Sequence, residues 1–316
     1  MDRSSIIKKF RDAIFFRRFY KKITCMNEKE AAIFAFSKDY RSESENGQYV
    51  AAVLRSLRDQ AAFENFKQDL AYQEILEHVT CQQGYDYLNL LIHRNDGLLE
   101  EALKTVLVSD STGNPKKCIY EGVPIPLSAT TLRYVKVASD LYHLFGKGLG
   151  EVAEIGCGYG GQCLVNDGLL NYQHFSLFDL PIVNKLIERY LDYTLMNGSY
   201  EVYSLNKKTP QLYDLVISNY AFSELPAQLQ IAYIRKVLAK SKRGYLTMNS
   251  GMGGDLDNGK LGIDDLRRLL PPFECLEEEP LTYRHNYIIV WGHNEGTVDR
   301  FFKRKWQSPI YDRGHK

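Results

Sequence analysis

Residues 152–161 read Val152-Ala153-Glu154-Ile155-Gly156-Cys157-Gly158-Tyr159-Gly160-Gly161. The first half is a short apolar run, as in a buried strand, and the second half is a glycine-rich turn that opens a helix. Gly156 and Gly158 let the backbone turn tightly and approach a ligand with no Cβ in the way. Gly160 and Gly161 allow close passage into the next helix. In open parallel sheets, ligands bind outside the carboxyl ends of the strands, where this loop stands.

Downstream, short apolar runs alternate with helical patterns. Strands are expected at 151–155, 174–178, 200–205, 215–218 and 244–248, followed by a closing antiparallel pair at 276–282 and 287–291. Helices are expected near 163–170, 181–197, 226–240 and 263–270. This alternation predicts an α/β domain with a parallel sheet covered on both faces.

Upstream, residues 28–108 are mostly helical in pattern, with long runs at 51–71 and 85–108. The turn formers Asp110-Ser111-Thr112-Gly113-Asn114-Pro115 break that pattern. A loop with Gly122, Pro124 and Pro126 follows. A helix over 128–145 is opened by Ser128 or Thr130 as cap and ends near Gly146. The expected division is a helical region over 1–127, the α/β domain over 128–300 and a basic, aromatic tail over 301–316. The helical region would serve as a lid, a homodimer surface or a membrane or partner contact.

Residues 6–22 place Ile6, Ile7, Phe10, Ile14 and Phe15 at helical spacing, surrounded by seven Lys and Arg. Such a basic amphipathic helix docks on its own domain, on an anionic membrane surface or on a partner.

Lys plus Arg number 40 and Asp plus Glu 39, a net charge of +1. No global positive field marks the chain as a nucleic-acid binder. Six cysteines are scattered with no CxxC pair, which points to reduced thiols in a cytoplasmic protein rather than a disulfide framework or zinc site. No apolar run reaches the roughly 20 residues that span a bilayer. The N-terminal segment lacks the apolar core and cleavage site of a signal peptide.

A lone Gly-x-Gly-x-Gly also fits nicotinamide or flavin binding. Three features narrow it. Glu154 precedes the first glycine by two residues; a carboxylate there receives a cationic amine or holds the loop, and disfavours a pyrophosphate. Asp179, in Phe178-Asp179-Leu180-Pro181 at the end of the second strand, suits two ribose hydroxyls, with Leu180 against an adenine. Tyr213-Asp214-Leu215-Val216-Ile217-Ser218-Asn219-Tyr220 ends the fourth strand at the same crevice.

This pattern resembles the class I S-adenosylmethionine-dependent methyltransferases over about residues 130–292. The resemblance implies a Rossmann-like seven-stranded sheet, mostly parallel with an antiparallel last strand, and S-adenosyl-L-methionine as cofactor. It implies cofactor contacts from Glu154, Gly156, Cys157, Gly158, Asp179 and Leu180. Ser204 or Asn206 would lie near the adenine amine. Ser218 and Asn219 would line the methionine end, and Arg133 would pair with the methionine carboxylate.

Enzymes that methylate an exocyclic base nitrogen carry Asn/Asp-Pro-Pro-Tyr after the fourth strand; Ser218-Asn219-Tyr220-Ala221 has no proline. Oxygen is therefore the expected acceptor atom, with a nucleic-acid methyltransferase or a non-catalytic binding protein of the same fold as alternatives. Hydroxyl methylation needs a group that takes a proton. Glu224 in Asn219-Tyr220-Ala221-Phe222-Ser223-Glu224-Leu225-Pro226 and His285 in the turn Thr282-Tyr283-Arg284-His285-Asn286-Tyr287 are the candidate bases. Tyr220 and Asn286 would contact the acceptor. The segments 127–134, 218–225 and 286–292 are similar to sugar O-methyltransferases of bacterial surface-polysaccharide clusters. That resemblance implies a sugar or glycan acceptor, lipid-linked where the protein meets the inner face of the membrane. Asp255 and Asp257 have spacing that suits Mg²⁺ but read as a flexible acidic turn, so no metal site is expected.

Overall fold

The computed structural model describes residues 47–205, 207, 209, 210, 212–249, 259–301 and 306. The basic segment 6–22, Cys25, Asn206, the turn carrying Asp255 and Asp257, and most of the tail lie outside the described residues.

Side-chain caps cut the upstream helical runs into pieces. Helix α1 (Gly47–Arg58) is followed by α2 (Gln60–Glu64) and α3 (Leu70–Ile75) rather than by one helix over 51–71. Asp59 accepts the Ala62 N–H at 2.7 Å and Asp69 the Ala71 N–H at 3.1 Å. Each carboxylate offers the backbone an alternative to helix continuation. Helix α4 (Cys81–Arg94) opens with a reciprocal cap between Thr80 and Gln83. It ends where Asn95 turns left-handed at φ 47°, so the expected run over 85–108 is split before α5 (Leu98–Ser111).

A two-residue antiparallel pair, β1 (Lys117–Cys118) and β2 (Leu127–Ser128), leads into α6 (Ala129–Phe145), which is buried along nearly its whole length. Its Asp140 is enclosed and ion-paired to Arg94 and Lys136, both at 2.7 Å. Such partners offset the cost of burying a carboxylate.

The α/β region then runs β3 (Glu151–Ile155), α7 (Gly161–Leu169), β4 (His174–Phe178), α8 (Pro181–Tyr193), β5 (Tyr200–Tyr203) and β6 (Tyr213–Asn219). It continues through α9 (Ala221–Glu224), α10 (Ala227–Lys236), β7 (Ser241–Met248), α11 (Ile263–Leu269), β8 (Glu274–Glu277), β9 (Tyr287–Trp291) and α12 (Thr297–Phe301). One seven-stranded sheet forms in the order β5-β4-β3-β6-β7-β9-β8. All neighbours are parallel except those of β9, which runs antiparallel to β7 and β8.

Alternation along each strand sends side chains to two cores. Val152, Leu177, Leu215 and Ile217 pack with α4–α8 on one face. Ala153, Ile155, Phe178 and Val216 pack with α10 and α11 on the other. The strand order reverses between β3 and β6, whose carboxyl ends open a crevice.

One expectation is corrected. Cys81 and Cys118 are joined by a disulfide, while Cys157, Cys163 and Cys275 are free and buried. The two partners are 37 positions apart, brought together by the packing of α4 beside β1, which no spacing motif reveals. The expectation of reduced thiols therefore fails for this pair. Among the described residues, no helix is long and apolar enough to cross a membrane.

Candidate active site

The apolar strand β3 delivers the chain to Gly156, whose N–H donates to the Phe178 carbonyl at 2.8 Å. Gly156 has φ 74°, and a Cβ there would lie 2.0 Å from the Cβ of Ala221. Only glycine fits so close to the chain leaving β6. Gly158 is also left-handed, at φ 58°. Its N–H donates to Asp179 Oδ2 at 2.9 Å, and the Leu180 N–H donates to Asp179 Oδ1 at 2.7 Å. Asp179 therefore ties the glycine loop to the end of β4. Burial pushes its carboxyl up to about 6, against the backbone hydrogen bonds that favour the ionised form.

A cavity of about 360 Å³ opens at these strand ends. Gly156, Gly158, Asp179 and Leu180 line it, as expected, together with Asn219, Tyr220, Glu224, Asn286 and Arg133. Asn219 is held by its amide on Gln162 Oε1 at 3.4 Å, and its own Oδ1 has no partner. Glu224, at the end of α9, is exposed at the mouth and accepts from Asn249 Nδ2 at 2.8 Å.

Arg133 is 8% exposed on α6. Its Nη2 reaches only the Leu76 carbonyl, at 3.5 Å, and its Nε has no partner. Its guanidinium lies 5.6 Å from the Tyr134 ring centre and 5.8 Å from that of Tyr220. Burial alone would disfavour the charge, but Tyr134, Tyr87, Tyr220 and Glu77 outweigh it and shift the group upward. A buried, half-satisfied cation in a cavity is a receptor for an anion.

Five expected residues do not line the cavity. Glu154 points behind the loop, 2% exposed, with Oε2 unpartnered; burial first, then the Asp179 charge, pushes it up to about 8. Cys157 turns inward, donates to the Glu154 carbonyl at 3.2 Å and is pushed up by burial. Ser218 donates to the Ile155 carbonyl at 2.8 Å and accepts from the Phe222 N–H at 3.1 Å, so it pins β6 to β3 and α9. His285 is half-buried in a left-handed turn at φ 66°, its carbonyl held by the Trp306 indole at 2.8 Å. That turn sends Asn286, not His285, into the cavity. Where the sequence led us to expect Ser204, Leu205 lines the wall instead.

No sequence motif announces the opposite wall. Leu76, His78, Gln83 and Tyr87, between α3 and the middle of α4, close the cavity from the helical region. His78 stands exposed at the rim; partial burial and then the Arg133 charge hold its imidazole below the usual value. Glu278 was also missed. It is 4% exposed, just beyond β8, and accepts from the Tyr220 phenol, from the Thr282 N–H at 3.0 Å and from Thr282 Oγ1 at 2.5 Å. Its signal was the acidic run Glu277-Glu278-Glu279, which reads as a solvated strand end.

No protein-family model matches the sequence, and no curated protein does. Several solved structures are similar over part of the chain. A methyltransferase from Pyrococcus furiosus is 14% identical, covering 61% of this chain and 96% of that one, with a TM-score of 0.39. Magnesium protoporphyrin IX methyltransferase from Synechocystis PCC 6803 is 16% identical, covering 51% and 80%, with a TM-score of 0.35. An O-methyltransferase family protein from Burkholderia thailandensis is 11% identical, covering 51% and 56%, with a TM-score of 0.38.

Proposed function

We propose that the protein binds S-adenosylmethionine at the β3–β6 switch point and moves its methyl group to a hydroxyl of a sugar or glycan, as in surface-polysaccharide synthesis. The observation that carries the cofactor half is Asp179: a carboxylate inside the cavity that fastens a glycine loop too tight for any Cβ. Its oxygens keep lone pairs that would accept two ribose hydroxyls. Leu180, Leu205 and Tyr233 provide an apolar slot for an adenine. Arg133, with its unpartnered Nε, suits the methionine carboxylate. Glu154 does not touch the cavity; a bound cation nearby would favour its ionised form, which burial and the Asp179 charge otherwise disfavour.

When bound, the cofactor supplies a methyl group already activated by its sulfonium. The chain must then hold an acceptor in line and accept its proton. Beyond Arg133 the wall changes character. Tyr87, Tyr220 and Tyr283 offer ring faces, and Gln83, Asn249 and Asn286 offer amides. Ring faces against C–H surfaces and amides toward hydroxyls are the chemistry that grips a sugar. Glu224 and His78, both exposed at the mouth, would hold acceptor hydroxyls.

Calorimetry with S-adenosylhomocysteine tests the first half, and transfer of labelled methyl to a panel of aryl glycosides and glycan extracts tests the second. Saturable binding with label in carbohydrate is expected. Folded protein that binds no S-adenosylhomocysteine sinks the cofactor assignment, and label found only in RNA or DNA sinks the acceptor.

A further inference from the structure

Behind the acceptor end, one buried carboxylate organises much of the wall. Glu278 Oε1 accepts from the Tyr220 phenol, and Oε2 accepts from the Thr282 N–H and Oγ1. Thr282 Oγ1 in turn lies 3.3 Å from the Tyr220 phenol and accepts from Asn286 Nδ2 at 3.2 Å. Tyr220, Thr282 and Asn286 line the cavity; Glu278 stands directly behind them. Tyr220 has φ 66°, a conformation that non-glycine residues adopt only when their surroundings impose it. Here its N–H is held by the Thr247 carbonyl at 2.9 Å and its phenol by Glu278. The ring also lies beside Arg133, the cation assigned to the methionine carboxylate. That places the phenol near the reacting end, whereas Glu224 and His78 stand at the mouth.

We propose that the Tyr220 phenol takes the acceptor hydroxyl's proton and passes its own to Glu278. The inference rests on the hydroxyl-transfer reading above. As the acceptor oxygen bonds to the methyl carbon, the carbon–sulfur bond breaks and its electron pair stays on sulfur. The acceptor O–H bond breaks toward Tyr220 Oη while the phenol O–H bond breaks toward Glu278 Oε1. The cofactor loses its positive charge as Glu278 loses its negative one, so the cavity ends with no net change in charge. Tyr220 is a catalytic residue in this scheme and Glu278 acts through it. Burial first and then the Glu278 charge push the phenol far up, and Arg133 pulls the other way, which disfavours a free phenolate and favours a concerted handover.

Tyr220→Phe removes one hydroxyl, and Glu278→Gln keeps the side chain's size while removing the proton acceptor. With aryl glycosides as acceptors, each should lower kcat by about 100-fold or more, with acceptor KM and S-adenosylhomocysteine affinity within about threefold of wild type. Glu278→Asp should recover part of the loss. Either Phe or Gln variant keeping more than about a tenth of wild-type kcat overturns the relay. Wild type that methylates no glycoside, yet binds S-adenosylhomocysteine, overturns the hydroxyl-transfer reading and the relay with it.

A second readout needs no acceptor. Ultraviolet difference titration of wild type against Tyr220→Phe reports ionisation of this phenol, which faces Tyr87 from α4, Arg133 from α6, Tyr245 from β7 and Glu278. Glu278→Gln should bring that ionisation to lower pH. No movement would overturn the relay, because the phenol would then not feel the carboxylate.

Discussion

At the cofactor end of the cavity, Gly156, Gly158, Asp179 and Leu180 come from two short stretches that meet because β3 and β4 are parallel neighbours, with Ile155 opposite Phe178. At the proposed acceptor end, Tyr87, Tyr220, Thr282 and Asn286 come from α4, the end of β6 and the turn before β9, gathered largely by Glu278. The first end is shaped by backbone: positive φ angles, N–H donors and a clearance that admits no Cβ. The second is shaped by side chains reaching one another. Backbone-built sites fail abruptly when a side chain intrudes, whereas side-chain-built sites fail in steps, one hydrogen bond at a time.

The largest expected effect tests the abrupt case. Gly156→Ala combines a left-handed φ with a Cβ 2.0 Å from Ala221. S-adenosylhomocysteine affinity should fall by about 100-fold or more, since the added Cβ must push the glycine loop away from the position in which Asp179 holds it. Gly122→Ala is the control: Gly122 has φ 80°, but nothing lies within 4 Å of the added Cβ. It should cost only the left-handed penalty, about 1–2 kcal/mol of unfolding free energy, with binding intact. Equal binding by both variants would mean that the close approach to Ala221 does not shape the site.

The next effect concerns Asp179. Asp179→Ala should weaken cofactor binding about tenfold to a hundredfold, the worth of hydrogen bonds to one charged group. The pH dependence gives the sign. The ribose hydroxyls need the ionised carboxylate as acceptor, and burial places its titration at about 6. Affinity for S-adenosylhomocysteine should be flat above that value and decline as pH falls through it. In Asp179→Asn the decline should vanish. A wild-type affinity that stays flat through pH 6 would remove Asp179 from the ribose contact.

The same division explains what the sequence disclosed. Strand limits at 151–155, 174–178 and 287–291 coincide with β3, β4 and β9, because short apolar runs ending in turn formers leave little choice. The glycine loop and Asp179 were legible for the same reason: their meeting follows from strand adjacency alone. Cys157 and Ser218 were misplaced because their side chains turn to the Glu154 and Ile155 carbonyls, while their neighbours Gly156, Gly158 and Asn219 line the cavity. His285 was misplaced because nothing local announces that Trp306 holds its carbonyl. His78, Tyr87 and Glu278 were illegible in principle. An amphipathic pattern says that a face is buried, not which distant strand ends it will cover.

Glu154 joins the two regimes, and its expected effect is the smallest. It belongs to the cofactor loop by sequence, yet it acts as a buried side chain with no partner for Oε2. Burial and the Asp179 charge raise its carboxyl from 4.5 to about 8 in the folded protein. Between those values the folded chain holds a proton that the unfolded chain has released. Folding therefore takes up a proton in that window, and the stabilisation present below the lower value is lost as pH rises through the upper one. Glu154→Gln removes this titration. Across the window the wild-type melting temperature should fall relative to the variant, leaving the variant ahead by about 3 °C or more on the alkaline side. Melting profiles that stay parallel would mean that the carboxylate has found a partner. Saturating S-adenosylhomocysteine should narrow the gap, because its ammonium group favours the ionised Glu154 that the empty site penalises. Were the gap to stay unchanged by the ligand, the field of Glu154 would have no part in holding the cofactor. The residue would then be a cost borne by the loop for packing alone.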